Sequence, residues 1–173
     1  VKVWGPERRS KMTLDATEFN LPGFSGSSSE KFGDSTVRTG VVNVWAEENC
    51  ETIWGACSDH ALRVWDGGNG QGLRFLKGHT HGITAMEGLD RIGKGHGGGL
   101  VGTGSADKTV RVWSLATGAL LHTLEGHTYP VTCVAVSPDG QTIVSGSLDK
   151  AVRVWSHATG ALLRTLEGHT RTV

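Results

Sequence analysis

Two stretches of this chain are nearly the same sequence. Residues 105–128 read SADKTVRVWSLATGALLHTLEGHT and residues 147–170 read SLDKAVRVWSHATGALLRTLEGHT, differing at four of 24 positions. The offset, taken from Trp113 to Trp155, is 42 residues. Chance does not produce such a match, so the segment is duplicated. A duplicated unit of this size points to small supersecondary units that bury a core only by stacking on one another. A third, more diverged copy lies upstream, where residues 41–65 align without a gap to residues 131–155. Trp65 to Trp113 is 48 residues, so that unit carries six extra, and Trp4 to Trp65 is 61, which places about 19 extra before Val41. Landmarks keep their order throughout. Asp59, Asp107 and Asp149 each stand six residues before a Trp, and His79, His127 and His169 each stand 14 after one.

Each unit reads as four short strands. Val131 to Val136 form a nearly continuous apolar run, the pattern of a strand buried on both faces. Ser137-Pro138-Asp139-Gly140 is a turn, because Pro presets φ and Gly accepts positive φ. Residues 141–147 form the second strand and Leu148-Asp149-Lys150 a tight turn. Residues 151–155 alternate in the β manner, and residues 161–166 form the outermost strand. Helical periodicity is absent, so the chain is expected to be all-β.

The Gly-His pairs, the Asp six before the Trp and the 42-residue period together resemble the WD-repeat family. The resemblance implies β-propeller blades of four antiparallel strands. It is good over residues 41–173, covers residues 1–4 as the tail of another repeat, and is poor over residues 5–40. Only Trp65-Asp66 is a literal WD; Trp113 and Trp155 are followed by Ser. The expected organisation is the end of a repeat at 1–4, then an outer strand near Met12 to Ala16 with a Ser/Gly-rich insertion at 5–35. Repeats follow at 36–78 (degenerate), 79–126 and 127–168, with the start of a further repeat at 169–173. That is an incomplete ring of three full blades with partial blades at both ends. Open Val- and Leu-rich faces at the ends of such an array are aggregation-prone. The chain is therefore expected to be part of a longer chain or to self-associate to close a ring.

Aligning the copies groups His127, Ser145, Asp149 and Trp155 in one set and His79, Thr103, Asp107 and Trp113 in another. Ser, His and Asp invite a nucleophile reading. The resemblance implies instead a hydrogen-bonded relay that locks the blade's turn to its strands. Recurrence favours the relay, since a hydrolase needs one activated nucleophile and not two at the same register. The first copy has Gly55 where Ser145 aligns and Val37 where His127 aligns, so that blade is expected to be held less tightly.

Several motifs in the glycine-rich stretch are decoys. Gly88 to Lys94 fits GxxxxGK, but Gly95 stands where a phosphate loop needs Ser or Thr. Gly93 to Gly98 fits GxGxxG, which carries meaning only between a strand and a helix. His96-Gly97-Gly98-Gly99 looks like an oxyanion loop, yet no GxSxG supplies a nucleophile. An enlarged hairpin turn accounts for all three. His79-Thr80-His81 is the one close His pair, short of the three or four ligands a metal needs. No metal, no cofactor and no catalytic residue are expected.

Composition removes other classes. Lys+Arg and Asp+Glu are 17 each, against a nucleic-acid binder's basic excess. No apolar run approaches a membrane span. Cys50, Cys57 and Cys133 form no CxxC pair, so they read as reduced thiols that pack as small hydrophobes, in an intracellular protein of cytoplasm or nucleus.

Binding residues are expected where sequence varies over a fixed frame. Two residues after each Gly-His His, the copies read His81, Tyr129 and Arg171; just before the turn Asp they read Ser58, Ala106 and Leu148. His81, Tyr129, Leu148 and Arg171 are the candidate contacts for a protein or peptide partner. The expected function is a non-catalytic interaction scaffold. The alternative is a recognition module of a larger enzyme, such as a ubiquitin ligase or kinase, with catalysis outside this segment. A decaying duplicate without function is a third reading.

Overall fold

The computed structural model describes residues 2–4, 11–13, 41–47, 51–89 and 99–173. Fourteen strands account for the regular structure among them. A ribbon pairs β1 (Lys2–Trp4) with β2 (Lys11–Thr13) antiparallel, so the strand expected near Met12 begins one residue earlier. The remaining described strands form three four-stranded antiparallel sheets, each built from consecutive strands. The first holds β3 (Val41–Ala46), β4 (Thr52–Cys57), β5 (Leu62–Asp66) and β6 (Gly72–Leu76). The second holds β7 (Ile83–Leu89), β8 (Leu100–Ser105), β9 (Val110–Ser114) and β10 (Leu120–Leu124). The third holds β11 (Val131–Val136), β12 (Thr142–Ser147), β13 (Val152–Ser156) and β14 (Leu162–Leu166). These are propeller blades, and they do not close a ring among the described residues.

Duplication reaches the backbone irregularities. Each blade has one register shift in its inner pair, at Val41/Asn43, Ile83/Ala85 and Val131/Cys133. Each has another where the Trp strand meets the outer strand, beside Trp65, Trp113 and Trp155. A bulge twists the strand and re-aims a side chain. These twists recur at the residue that anchors each blade.

The core lies between blades as much as within them. Trp54, Val64, Met86, Val101 and Trp113 pack the first blade on the second. Leu100, Val112, Leu124, Val131, Ile143 and Trp155 pack the second on the third. Close approach requires glycine on β8, since a Cβ at Gly104 would sit 2.6 Å from Val131 Cγ1. A polar strap reinforces the joint, as Thr84 Oγ1 donates to Val131 O at 2.6 Å across blades. Thr132 Oγ1 makes the equivalent bond to Val173 O.

β11 departs from its reading as a strand buried on both faces. Val134 and Val136 pack on the second blade, but Cys133 and Ala135 are exposed. Leu124 is 2 % exposed whereas its repeat equivalent Leu166 is 49 %. The cause is the same for both: residues alike in sequence are buried only where another blade covers them. Cys133 is thus not the packed thiol expected. Cys57 is, and burial pushes its thiol pKa up although Arg63 pulls it down.

Candidate functional site

Antiparallel order puts the loops between blades and the tight turns before the Trp strands at one end of the sheets. That end carries both polar constellations. In the second blade, Trp113 Nε1–H donates to Thr103 Oγ1 at 2.9 Å, and Thr103 Oγ1 lies 2.9 Å from His79 Nε2. His79 Nδ1 lies 2.8 Å from Asp107 Oδ2. In the third blade the same steps measure 2.9 Å from Trp155 to Ser145, 2.8 Å from Ser145 to His127 and 2.8 Å from His127 to Asp149. The structure brings all eight residues into their two sets.

Donor and acceptor inventory gives the chain its direction. A carboxylate can only accept, so Nδ1 of each imidazole carries the proton and Nε2 accepts the hydroxyl proton. The hydroxyl oxygen accepts the indole N–H in turn. Arg153 Nη1 lies 2.6 Å from His127 Nδ1 and 2.9 Å from Asp149 Oδ2, and the carboxylate serves as acceptor for both neighbours. Burial holds His79 and His127 below the ordinary imidazole pKa, despite the raising pull of Asp107 and Asp149, so both rings are neutral at pH 7.

Burial also raises the carboxyl of Asp107, but hydrogen bonds from Thr109 and His79 outweigh it and hold the pKa at about 2. Asp149 is likewise held below its ordinary value, with His127 and the N–H groups of Ala151 and Thr128 overcoming burial. Each carboxylate also caps its own turn. Thr109 Oγ1 donates to Asp107 Oδ1 at 2.7 Å, and Ala151 N donates to Asp149 Oδ1 at 3.0 Å.

Distances alone match a nucleophile triad, but the environment does not. Ser145 is 1 % exposed and Thr103 fully buried, and each hydroxyl oxygen already accepts an indole N–H. A substrate carbonyl cannot reach either oxygen. Each relay ties the turn before its Trp strand to the strands beside it.

The first blade solves the same problem with other atoms. Arg63 Nη1 and Nη2 donate to Asp59 Oδ1 and Oδ2 at 2.9 and 2.7 Å, a fork-to-fork pair. The Arg63 guanidinium also lies 4.7 Å from the centre of the Phe75 ring. A Cβ added at Gly55 would fall 2.6 Å from Trp65 Cζ3, so the indole fills the space beside Gly55. The lost hydroxyl is replaced by a buried ring and a clamped carboxylate. Sequence reading missed Arg63, although its equivalents Arg111 and Arg153 stand two residues before each Trp. Val37 lies outside the described residues.

The four candidate contact residues all sit at this end and are all exposed. Tyr129 is 59 % and Leu148 39 % exposed. Their backbones are tied together, with Ser147 Oγ donating to Tyr129 O at 2.9 Å and Leu148 N to Pro130 O at 3.0 Å. His81 is tied to its own blade's turn, where Ser105 Oγ donates to His81 O at 3.0 Å. Arg171 lies two residues before Val173, whose N–H donates to Ser147 O at 3.3 Å.

Other candidates find no site. Among the described residues no three His, Cys, Asp or Glu converge as metal ligands. No helix among them is long and apolar enough to cross a membrane. β7 and β8 pair directly as an antiparallel hairpin, so the GxGxxG-like stretch does not join a strand to a helix; residues 90–98 themselves lie outside the described residues.

Residues 70–114 and 118–156 match the family described as WD domain, G-beta repeat. No curated protein matches the chain. The matched segments contain all eight relay residues. With their sheet order, these observations identify the chain as a member of the WD-repeat family, whose domains are in general protein-interaction scaffolds.

Proposed function

We propose that this chain is a non-catalytic scaffold that binds a protein or peptide partner on the rim bearing His81, Tyr129, Leu148 and Arg171. The observation that carries this reading is the pairing of Tyr129 and Leu148, two large exposed side chains on backbones pinned by hydrogen bonds. A rigid exposed aromatic loses little entropy on binding and is a frequent interface anchor. The relay beneath supplies the rigidity, because His127 and Asp149 flank this loop and turn.

The test selects binders from a random peptide library on the immobilised chain and titrates them against variants. Tyr129→Ala is expected to weaken them by about tenfold or more, in the range of a hot-spot residue, with thermal stability unchanged. Binders indifferent to both Tyr129→Ala and Leu148→Ala would overturn the reading.

A further inference from the structure

Among the described residues, the two ends of the blades differ in exposed charge. At the end away from the relays stand Glu47, Glu51, Asp139 and the strand end Asp66, while residues 90–98, whose sequence includes Arg91 and Lys94, lie outside the described residues. At the relay end, apart from the turn carboxylates Asp59, Asp107 and Asp149, the exposed charges are Lys77, Lys108, Lys150 and Arg171 against Glu125 and Glu167. His60, Lys108 and Lys150 occupy the same position of the tight turn in the three blades, and all three side chains are exposed. Exactly opposite behaviour is imposed on the carboxylates beside them. Asp107 and Asp149 are 6 and 7 % exposed at the side chain and turned into the relays, and Asp59 is clamped by Arg63.

The turn of one blade adjoins the loop that leads into the next. His60 stacks on His81 with ring centroids 6.3 Å apart and planes at 22°. The same 21-residue step relates Lys108 to Tyr129 and Lys150 to Arg171. Along the rim the pairs therefore read His60/His81, Lys108/Tyr129 and Lys150/Arg171; Glu167 lines the same hollow as Lys150 and is the acidic neighbour of this track. The turn residues also sit at a costly backbone position, with φ of 69° at His60, 72° at Lys108 and 69° at Lys150. Gly or Asn would meet that φ with less strain. Basic side chains stand there instead.

We infer that the rim takes an acidic peptide segment, its carboxylates or phosphates on Lys108, Lys150 and Arg171 and an apolar side chain against Tyr129 and Leu148. This deepens the proposed function and rests on it. Opposite charge steers and orders a partner along such a track. A nucleic acid fits less well, because its affinity grows from neutralising many phosphates and three firm cations interrupted by Leu148 offer few.

The test uses short fluorescein-labelled peptides with Leu flanked by Glu, the same peptide with Gln for Glu, and a third with phosphoserine for Glu. A thymidine oligonucleotide completes the set. The intact chain is expected to bind the Glu or phosphoserine peptide about tenfold tighter than the Gln peptide at low salt, with the gap closing as salt rises. The better of the two anionic peptides identifies the source of charge. Lys108→Asn, Lys150→Asn and Arg171→Gln combined should close the gap while the melting temperature holds, since Asn accepts the left-handed turn.

The inference is overturned by equal binding of Glu, phosphoserine and Gln peptides, by a triple variant that keeps the preference, or by tighter binding of the oligonucleotide. If library binders remain sensitive to Tyr129→Ala in that case, the rim is still a binding site and only its charge preference was wrong. If they do not, the rim reading itself has failed.

Discussion

The first and third blades have the same four strands, the same two register shifts and the same Asp six residues before the same Trp, yet polar side chains lock them differently. In the third blade a relay runs from Trp155 through Ser145 and the neutral His127 to the carboxylate of Asp149. In the first, Asp59 is held by Arg63 and the indole of Trp65 closes over Gly55. Ile53, Trp54, Val64 and Trp65 are all at most 1 % exposed, so the middle strands of the diverged blade are buried like those of its relatives, although no residue of β3 is fully buried. The expectation of a loosely held blade counts lost relay members, and the stability of the variants below tests it. What matters is whether each buried polar group finds a partner and each space finds an atom, and more than one residue set meets those conditions.

The largest effect tests what the two locks share. Trp155→Ala removes a fully packed indole and is expected to cost about 3–5 kcal/mol, by chemical denaturation. Thermal stability equal to the parent's would mean that the Trp does not anchor its blade. A smaller effect separates the locks. Ser145→Gly leaves Trp155 Nε1 and His127 Nε2 buried without their partner and should cost about 1–3 kcal/mol. The reciprocal Gly55→Ser should also destabilise, because its Cβ meets the Trp65 ring. Stabilisation by Gly55→Ser would show that the first blade is a relay awaiting its hydroxyl.

The smallest effect is in pH. His79 and His127 have folded pKa values below the ordinary 6.5, so the unfolded chain binds protons more readily. Their contribution is present above that value and is lost as pH falls below it. The carboxyl of Asp107 adds a second loss as pH falls from its ordinary 3.8 toward about 2, in the same direction. The melting temperature should therefore decline from pH 7 to pH 5, before carboxylates titrate. His127→Gln, which lacks a titrating ring, should flatten part of that decline; an unchanged slope would remove the imidazole from the account. The Arg63–Asp59 clamp contains no imidazole.

Much of the site was legible because duplication turns one chain into its own alignment. Register alone grouped His127 with Ser145, Asp149 and Trp155, and the resemblance to WD repeats placed Tyr129 and Leu148 at one end of the blades. The same register also carried His60, Lys108 and Lys150, but their importance shows only with the backbone, since a left-handed φ is not written in the residue type. Arg63 was invisible for a related reason. An Arg at that position is common to all three blades, and only the first commits both guanidinium nitrogens to its Asp.

The sequence by itself determined the repeat, the strand pattern and the residues of each relay, because these are local and periodic properties that spacing records. Tertiary structure decided what depends on neighbours far along the chain. It left Cys133 and Leu166 exposed while burying Val131 and Leu124 between blades. It moved Trp65 into the space beside Gly55, turned the turn carboxylates inward and left the lysines in solvent. Burial and charge placement belong to surfaces that meet only after folding, and no window along the chain contains both sides of such a contact.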